Sequence, residues 1–456
     1  MKYYIDLGKK LFPLNRSITG LGTLKTLQIL NKENKLIKLK KIRCGTKSFD
    51  WKIPSEWIIR EAYIKDKYGK KIVDIKNNNL HLVSYSQKIK KRITKIEILK
   101  KIHSLPKNVR AIPYKTSYYK KDWGFCVSEI TKKKIETKYN ENDLFFININ
   151  SKFNKKGFMN YGEAYIPGES KDEILISTYI CHPSMANNEL SGPLLSLALI
   201  NFFSKKKNMK SLRFVFVPET IGAISYISKN LKKLKNKVIG GFVLSCVGDN
   251  NGYSYIQTKY GNSISDIAVK KAFKSLKIRH KIYPFLKRGS DERQYNSSGV
   301  DIPIGTLMRS RFGTYNEYHT SLDNFKIVTS QGLTGSFKVA IESINNLLIY
   351  KKNKVKKRGI LTKKNRIIST IKCEPFLEKR FLYPKYGLAN IAGESSSELK
   401  SESYKKLLAK QILDFMQYSD GNNDLKNISK LIKLPLSKTK KVFNLLKKKK
   451  LIRVKD

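Results

Sequence analysis

The sequence predicts an α/β protein: a mainly parallel, mixed sheet with helices on both faces, a small β-rich inserted domain, and a C-terminal winged helix. Three observations carry that reading. Strand-like and helix-like segments alternate from about residue 155 to residue 350. Short aromatic and β-branched runs broken by Pro and Gly fill 44–126, and three amphipathic helices with a trailing strand close the chain. A length of 456 residues gives room for several cores.

The N-terminal LFPLNRSITGLGTLKTLQIL opens with turn residues around Pro13 and Gly20 and continues as a helix with Leu24, Leu27 and Leu30 on one side. Such a segment, 1–35, is too short to form a core and must pack on one. In 36–126, FDWKIPSEWII, NLHLVSYS and AIPYKTSYYKKDWGFCVS read as an inserted β domain, with Trp51, Trp57, His81 and Tyr85 as core or interface residues. In 127–350 the strands are EILISTYI (173–180), LRFVFV (212–217), IGGFVLSCV (239–247) and DIPIGTLM (301–308). Helices fit LSGPLLSLALINFFS (190–204), NSISDIAVKKAFKSL and GLTGSFKVAIESINNLLIY, whose apolar residues recur on one face. Ligands of such a fold bind beyond the carboxyl ends of the strands. The basic linker KKNKVKKRGILTKKNR marks the boundary of 351–456. There YKKLLAKQILDFMQYS, DLKNISKLIK and SKTKKVFNLLKKKK have helix-turn-helix spacing and LIRV supplies a wing.

The formal charge of +56 comes from 92 basic and 36 acidic residues. The excess is mostly lysine spread over the whole chain, which favours compositional drift over a nucleic-acid function for the chain as a whole. No stretch is long and apolar enough for a membrane span, and the first residues lack a signal-peptide pattern, so a soluble cytoplasmic protein with no membrane partner is expected. The five cysteines are scattered and never spaced as C-x-x-C, which predicts reduced thiols rather than disulfides or a thiolate zinc site.

Chemistry concentrates in three segments. STYICHPSMANNELSGPLLSLAL sets His182 just past a buried strand, where a neutral imidazole is well placed to hold a metal. The PETIG segment sets Glu219 at a strand end, and FGTYNEYHTSLDNF places His319 in a polar, aromatic loop. Each also has a structural explanation: a carboxylate favoured by a helix dipole, and hydrogen-bonded loop histidines.

The order of these segments resembles the zinc aminopeptidase superfamily, which includes bacterial leucyl aminopeptidases and glutaminyl cyclases. His182 matches the first metal histidine, ANNELSG the bridging-Asp loop, ETIG the paired-glutamate site, LSCVG the strand with an Asp ligand, and YHTSLDN the final histidine. LFPLNRSITG, IPYKTSYY with WGFC, SDERQY and EYHTSLDN extend the likeness over nearly the whole chain. They resemble a branch of that superfamily with an inserted β domain and a C-terminal winged helix, often associated with polysaccharide biosynthesis. Three expected ligands are replaced, by Asn188, Thr220 and Ser245. The resemblance therefore implies one zinc ion per chain rather than two, held by His182, His319 and a carboxylate. Glu189 is the first choice and Asp249 the substitute, and Asn188 stands at the bridging position. Glu219 would be the general base, taking a proton from the attacking water and returning it to the leaving amine. In GSDERQY, Ser290, Asp291, Arg293 and Tyr295 would line the substrate pocket with Arg309, Arg311 and Tyr315. Asp291 would take a substrate ammonium and the arginines a carboxylate or sugar acid; a structural ion-pair network is the competing explanation.

Two functions follow. One is a zinc-dependent aminopeptidase-like hydrolase cutting an amide of a peptide or of an amino-sugar or glycan precursor. The other is a catalytically inactive scaffold or regulator whose winged helix binds DNA or protein. In that domain Ser437 would cap a recognition helix bearing Lys438, Lys440, Lys441 and Lys447, with Val442, Leu445 and Leu446 packed inward. Oligomeric state is open, with a homo-oligomer among the options.

Overall fold

The structure is a computed structural model that describes residues 1–351, 365–383 and 396–455, with backbone alone for 396–403. The expected basic linker therefore lies almost wholly outside the described residues.

An eight-stranded sheet forms the scaffold. Its strands are β1 (Lys38–Arg43), β2 (Phe158–Ile166), β3 (Ser170–Tyr179), β4 (Lys210–Val217), β5 (Val238–Leu244), β6 (Ser254–Ile256), β7 (Lys281–Tyr283) and β8 (Ile304–Met308), in the order β1-β2-β4-β3-β5-β8-β6-β7. The centre, β4-β3-β5-β8, is parallel, and β1, β2 and β6 join antiparallel. Ile174, Leu175 and Ile176 of β3 are all buried, because both faces of this strand are covered and no polar alternation is called for.

Helices α1 (Ser191–Phe203), α2 (Ile221–Lys237), α3 (Ile264–Ser275) and α4 (Ser330–Leu348) cover the sheet. One core lies between the sheet and α1, α3, α4 and the N-terminal helices. The other joins the sheet, α2 and the small β domain. Expected strands 239–247 and 301–308 are shorter at one end. The first stops at Leu244 before Cys246 turns to φ 51, and the second begins after Asp301 at φ 54 and Pro303, which has no amide to donate.

The small β domain differs from its expected bounds. Its antiparallel sheet runs Lys71–Asp74, Glu56–Lys65, Leu144–Asn154, Ile89–Thr94, so an interior strand comes from beyond residue 126. Lys38–Arg43 instead joins the large sheet as β1. The alternating burial of Phe145, Ile147 and Ile149 is the period-two signal that marks Leu144–Asn154.

In the C-terminal part, α5 (Ser396–Gln417), α6 (Leu425–Leu431) and α7 (Leu436–Lys448) are followed by Ile452–Lys455, which pairs antiparallel with Arg366–Ser369. This domain has its own apolar core and is tied to the large one by ion pairs such as Arg288–Asp414 at 2.7 Å. All five cysteines are buried and free. No described helix is long and apolar enough to cross a membrane.

Gly192, in the first turn of α1, lets that helix start directly against the sheet. A Cβ there would lie 2.2 Å from Thr178 Oγ1 and 2.4 Å from the Leu244 carbonyl oxygen. Gly192→Ala should therefore cost about 1–3 kcal/mol through overpacking, measured as a lower urea midpoint with an unchanged m-value.

Candidate active site

β3 ends at Tyr179, and Ile180 still pairs with the Val217 carbonyl, so Cys181 and His182 emerge at the carboxyl end of the central strand. His182 is buried and its ring is clamped. Glu189 Oε2 lies 2.6 Å from Nδ1 and Glu219 Oε2 lies 3.5 Å from Nε2. Glu189 sits in the π-helical turn Ala186–Leu190 that leads into α1. Its other oxygen is 3.8 Å from Nε of the fully buried Arg16, which also donates to the His182 carbonyl at 3.0 Å and to the Leu11 carbonyl at 2.6 Å. Burial opposes a charge on His182, but Cys181 and Glu189 beside it outweigh that and hold its pKa well above the usual imidazole range. Burial pushes the Cys181 thiol up to about 11.

Glu219 follows β4 and Pro218. Its amide donates to Cys181 Sγ at 3.2 Å, and burial raises its pKa against the opposing charges of His182 and Arg293. Thr220 then turns with φ 63. That conformation is held by Asp291, which accepts its amide at 2.8 Å, and by Arg293, which donates to its hydroxyl at 2.6 Å. Asp291 is itself raised well above the carboxylate range, by burial and then by Glu219.

His319 lies with its ring centroid 5.3 Å from that of His182. Burial, and secondarily His182, holds its pKa well below the imidazole range; its Nε2 is buried with no partner among the described residues. Tyr318 stacks on it at 3.9 Å, and Tyr114 of the small β domain packs edge-on against both His182 and His319. The Tyr114 amide donates to the His319 carbonyl at 2.9 Å, which docks the IPYKTSYY segment onto the histidine loop.

The positions at which the resemblance implies further ligands hold a neutral chain. Ser245 Oγ lies 2.5 Å from the Tyr179 hydroxyl, which accepts from Asn188 Nδ2 at 2.7 Å; Asn188 Oδ1 is buried without a partner. Asp323 accepts the backbone amides of Ala186, Asn187 and Asn188 and fixes this turn. Burial raises its pKa to about 6 despite those hydrogen bonds.

Of the residues expected to act together, His182, Glu189, Glu219, His319 and Asn188 do converge. Glu189 sits on the Nδ1 side of His182 as an orienting partner. Asp249 is not brought in: its oxygens accept from Asn187 Nδ2, the Asn251 amide, and the Ser310 amide and hydroxyl. Arg293 lines the cleft beside His182, Asp291 supports Thr220 beneath it, and Arg311 and Tyr315 line a different cavity. The buried Tyr295 bonds Ser177 at 3.1 Å, a core contact. Residue patterns alone missed Arg16, Cys181, Tyr114, Tyr179 and Asp323. The LFPLNRSITG, IPYKTSYY and EYHTSLDN phrases carried Arg16, Tyr114 and Asp323, so the signal was present without its partners.

Residues 5–349 match the family described as a domain of unknown function (DUF4910), and residues 366–454 match a winged helix-turn-helix family. The chain belongs to the DUF4910 family. A Clostridium acetobutylicum protein described as a candidate polysaccharide biosynthesis protein with an aminopeptidase-like domain is 40% identical over 386 residues, spanning 84% of this DUF4910 chain and 83% of its own. The crystal structure of a candidate peptidase from the same species covers 100% of this chain and 96% of its own, at 34% identity and a TM-score of 0.72. A zinc aminopeptidase from Bacillus subtilis covers 77% and 96%, with 13% identity and a TM-score of 0.55. An M28 peptidase precursor from Shewanella amazonensis covers 77% and 94%, with 9% identity and a TM-score of 0.54. The DUF4910 core thus has the aminopeptidase-like fold expected from its motifs, with the expected winged helix after it.

The cleft beside His182 and Glu219 has a volume of about 200 Å³ and draws its walls from the whole chain. The small β domain gives Trp51, Tyr118 and Tyr119, and the 365–383 segment gives Glu374 and Phe376. Trp51 stacks on Phe376 at 4.5 Å, and Asp50 anchors this segment by accepting from Lys379, Arg380 and the Phe376 amide. Burial works against the Asp50 charge, but Arg380 and Lys379 hold its pKa below the ordinary value. The stabilisation is thus present above the unfolded pKa of about 3.9 and lost as pH falls through the lower folded value. Asp50→Asn should lower stability by about 1–2 kcal/mol at pH 7, and the deficit should shrink progressively as pH is taken below about 3.9 in parallel thermal melts.

Proposed function

We propose that this protein is an aminopeptidase-like hydrolase of amide bonds that works with one zinc ion held by His182 and His319. The observation that carries the proposal is the facing pair of buried imidazoles: Glu189 occupies Nδ1 of His182, leaving Nε2 toward the cleft, and Nε2 of His319 has no partner. A carboxylate on the far nitrogen of a ligating histidine fixes its tautomer and raises its basicity. Two imidazoles on one tetrahedral zinc have centroids roughly 5 Å apart, given Zn–N distances of about 2.0–2.1 Å, in keeping with the 5.3 Å observed. Asn188 Oδ1, buried and unpartnered, is the candidate third ligand in place of the expected carboxylates. A second ion does not fit, because Ser245, Tyr179 and Asn188 form an uncharged hydrogen-bonded chain and Thr220 offers its hydroxyl to Arg293.

When bound, zinc would polarise the scissile carbonyl and acidify water at the cleft floor. Glu219 would accept the proton of the attacking water and return it to the leaving amine; its raised pKa brings it nearer neutrality, where a base that must also act as an acid is most effective. Arg293 and Asp291 would hold the Thr220 turn and so aim Glu219. Tyr114 and Tyr318 would shield the imidazoles from bulk water. The aromatic walls at Trp51, Tyr118, Tyr119 and Phe376 suit the ring of an amino sugar or an apolar peptide side chain, and the described role of the Clostridium relative favours a glycan precursor. The exposed Lys438, Lys440, Lys441 and Lys447 of α7 would give the winged helix a surface for DNA phosphates or an acidic protein.

Elemental analysis of purified protein should find about one zinc per chain in the wild type and little in His182→Ala or His319→Ala. No metal in the wild type after zinc is offered would sink the proposal and favour a non-catalytic scaffold. Glu219→Gln should keep the zinc yet lower kcat by about 10²–10⁴ on aminoacyl and amino-sugar amides. Full activity in that variant would rule out Glu219 as the base.

A further inference from the structure

A second cavity, of about 470 Å³, opens where β6, β7 and the turn after β8 meet, and it shares no lining residue with the cleft. Lys281, Arg309 and Arg311 stand in its wall. Lys281 and Arg311 flank the same ring, each 5.2 Å from the Tyr283 centroid, and the Arg309 guanidinium lies 3.7 Å from the centroid of Tyr253.

These cations are poorly matched by the protein. Arg309 is only 6% exposed; its Nε donates to the Asp249 carbonyl at 2.8 Å, while Nη1 is buried without a partner. Among the described residues Arg311 reaches only the Lys287 carbonyl, at 3.5 Å, and its Nε is likewise buried and unpartnered. Among the described residues no ion pair joins these three side chains to a carboxylate. Glu317 is the one acidic residue in the lining, and the nearby Asp249 carboxylate is already taken by Asn187, Asn251 and Ser310. Gathering like charges around a concave surface is unfavourable unless a counter-anion sits among them, and guanidinium forks match the geometry of phosphate oxygens. The Ser310 and Thr314 hydroxyls on the same wall already donate to Asp249 and to the Arg311 carbonyl, so the cations would carry recognition, and the volume exceeds what a bare phosphate fills.

We propose that this cavity binds a phosphate-bearing small molecule at a site separate from the catalytic cleft. Isothermal titration of the full chain with inorganic pyrophosphate, at about 150 mM salt so that diffuse attraction is screened, should show one saturable site. Arg311→Gln and Lys281→Gln should each weaken it at least about ten-fold. Both side chains reach solvent, so the variants should melt with the wild type. Lys440→Gln, on the winged helix, should bind like the wild type. Binding should also survive in His182→Ala, which separates this site from the metal proposed above. The inference is overturned if the wild type shows no saturable binding, if both cavity variants bind unchanged, or if Lys440→Gln loses as much affinity as they do. Equal affinity for succinate would overturn the phosphate assignment.

Discussion

The buried contact between Glu189 and His182, backed by Arg16, is the interaction on which the site depends. It joins the N-terminal segment, the end of β3 and the turn before α1 at a point without water access. A carboxylate and a guanidinium at zero exposure are tolerable only because each has partners: the imidazole Nδ1 for Glu189, and the Leu11 and His182 carbonyls for Arg16. Removing one member leaves an uncompensated charge in the core, so the three act as a unit. The same contact sets which nitrogen of His182 faces the cleft.

Around that anchor lies a chain of uncharged groups. Where the resemblance implied carboxylate ligands, this chain has Asn188, Ser245 and Thr220, and each is held in hydrogen bonds with Tyr179, with its neighbours, or with Arg293. The negative charge that remains, on Glu189 and Glu219, faces the two sides of one imidazole. In the function proposed above, that balance would suit one cation and not two.

The outer parts of the chain complete the site rather than decorate it. Tyr114 reaches both histidines from the small β domain, and the Glu374–Phe376 stretch closes the cleft from the C-terminal side. Glu374 also accepts from Gln294 and Gln417, a contact through which the winged helix docks behind Arg293. An aminopeptidase-like core cut free of these parts would lack two walls of its cleft.

The strand and helix order of the core, the winged helix, and the convergence of His182, Glu219 and His319 were legible from the sequence. Buried strands are continuous apolar runs, helices repeat every 3.6 residues, and the polar residues after strand ends are those a parallel sheet collects at one edge. Partnership was not legible. Glu189 and Asp249 are both acidic residues near strand ends, and only the fold directs one onto His182 and the other into a turn with Ser310. Arg293 and Arg311 read alike in sequence, yet β7 and the turn after β8 draw Arg311 away to a second cavity. Leu144–Asn154 pairs across about ninety residues with Glu56–Lys65, a long-range register that local pattern does not encode. Sequence periodicity determined which residues are buried and where the polar ones emerge; tertiary packing decided which of those polar groups meet, because hydrogen bonds and ion pairs form between segments whose separation along the chain carries no record of their distance in space.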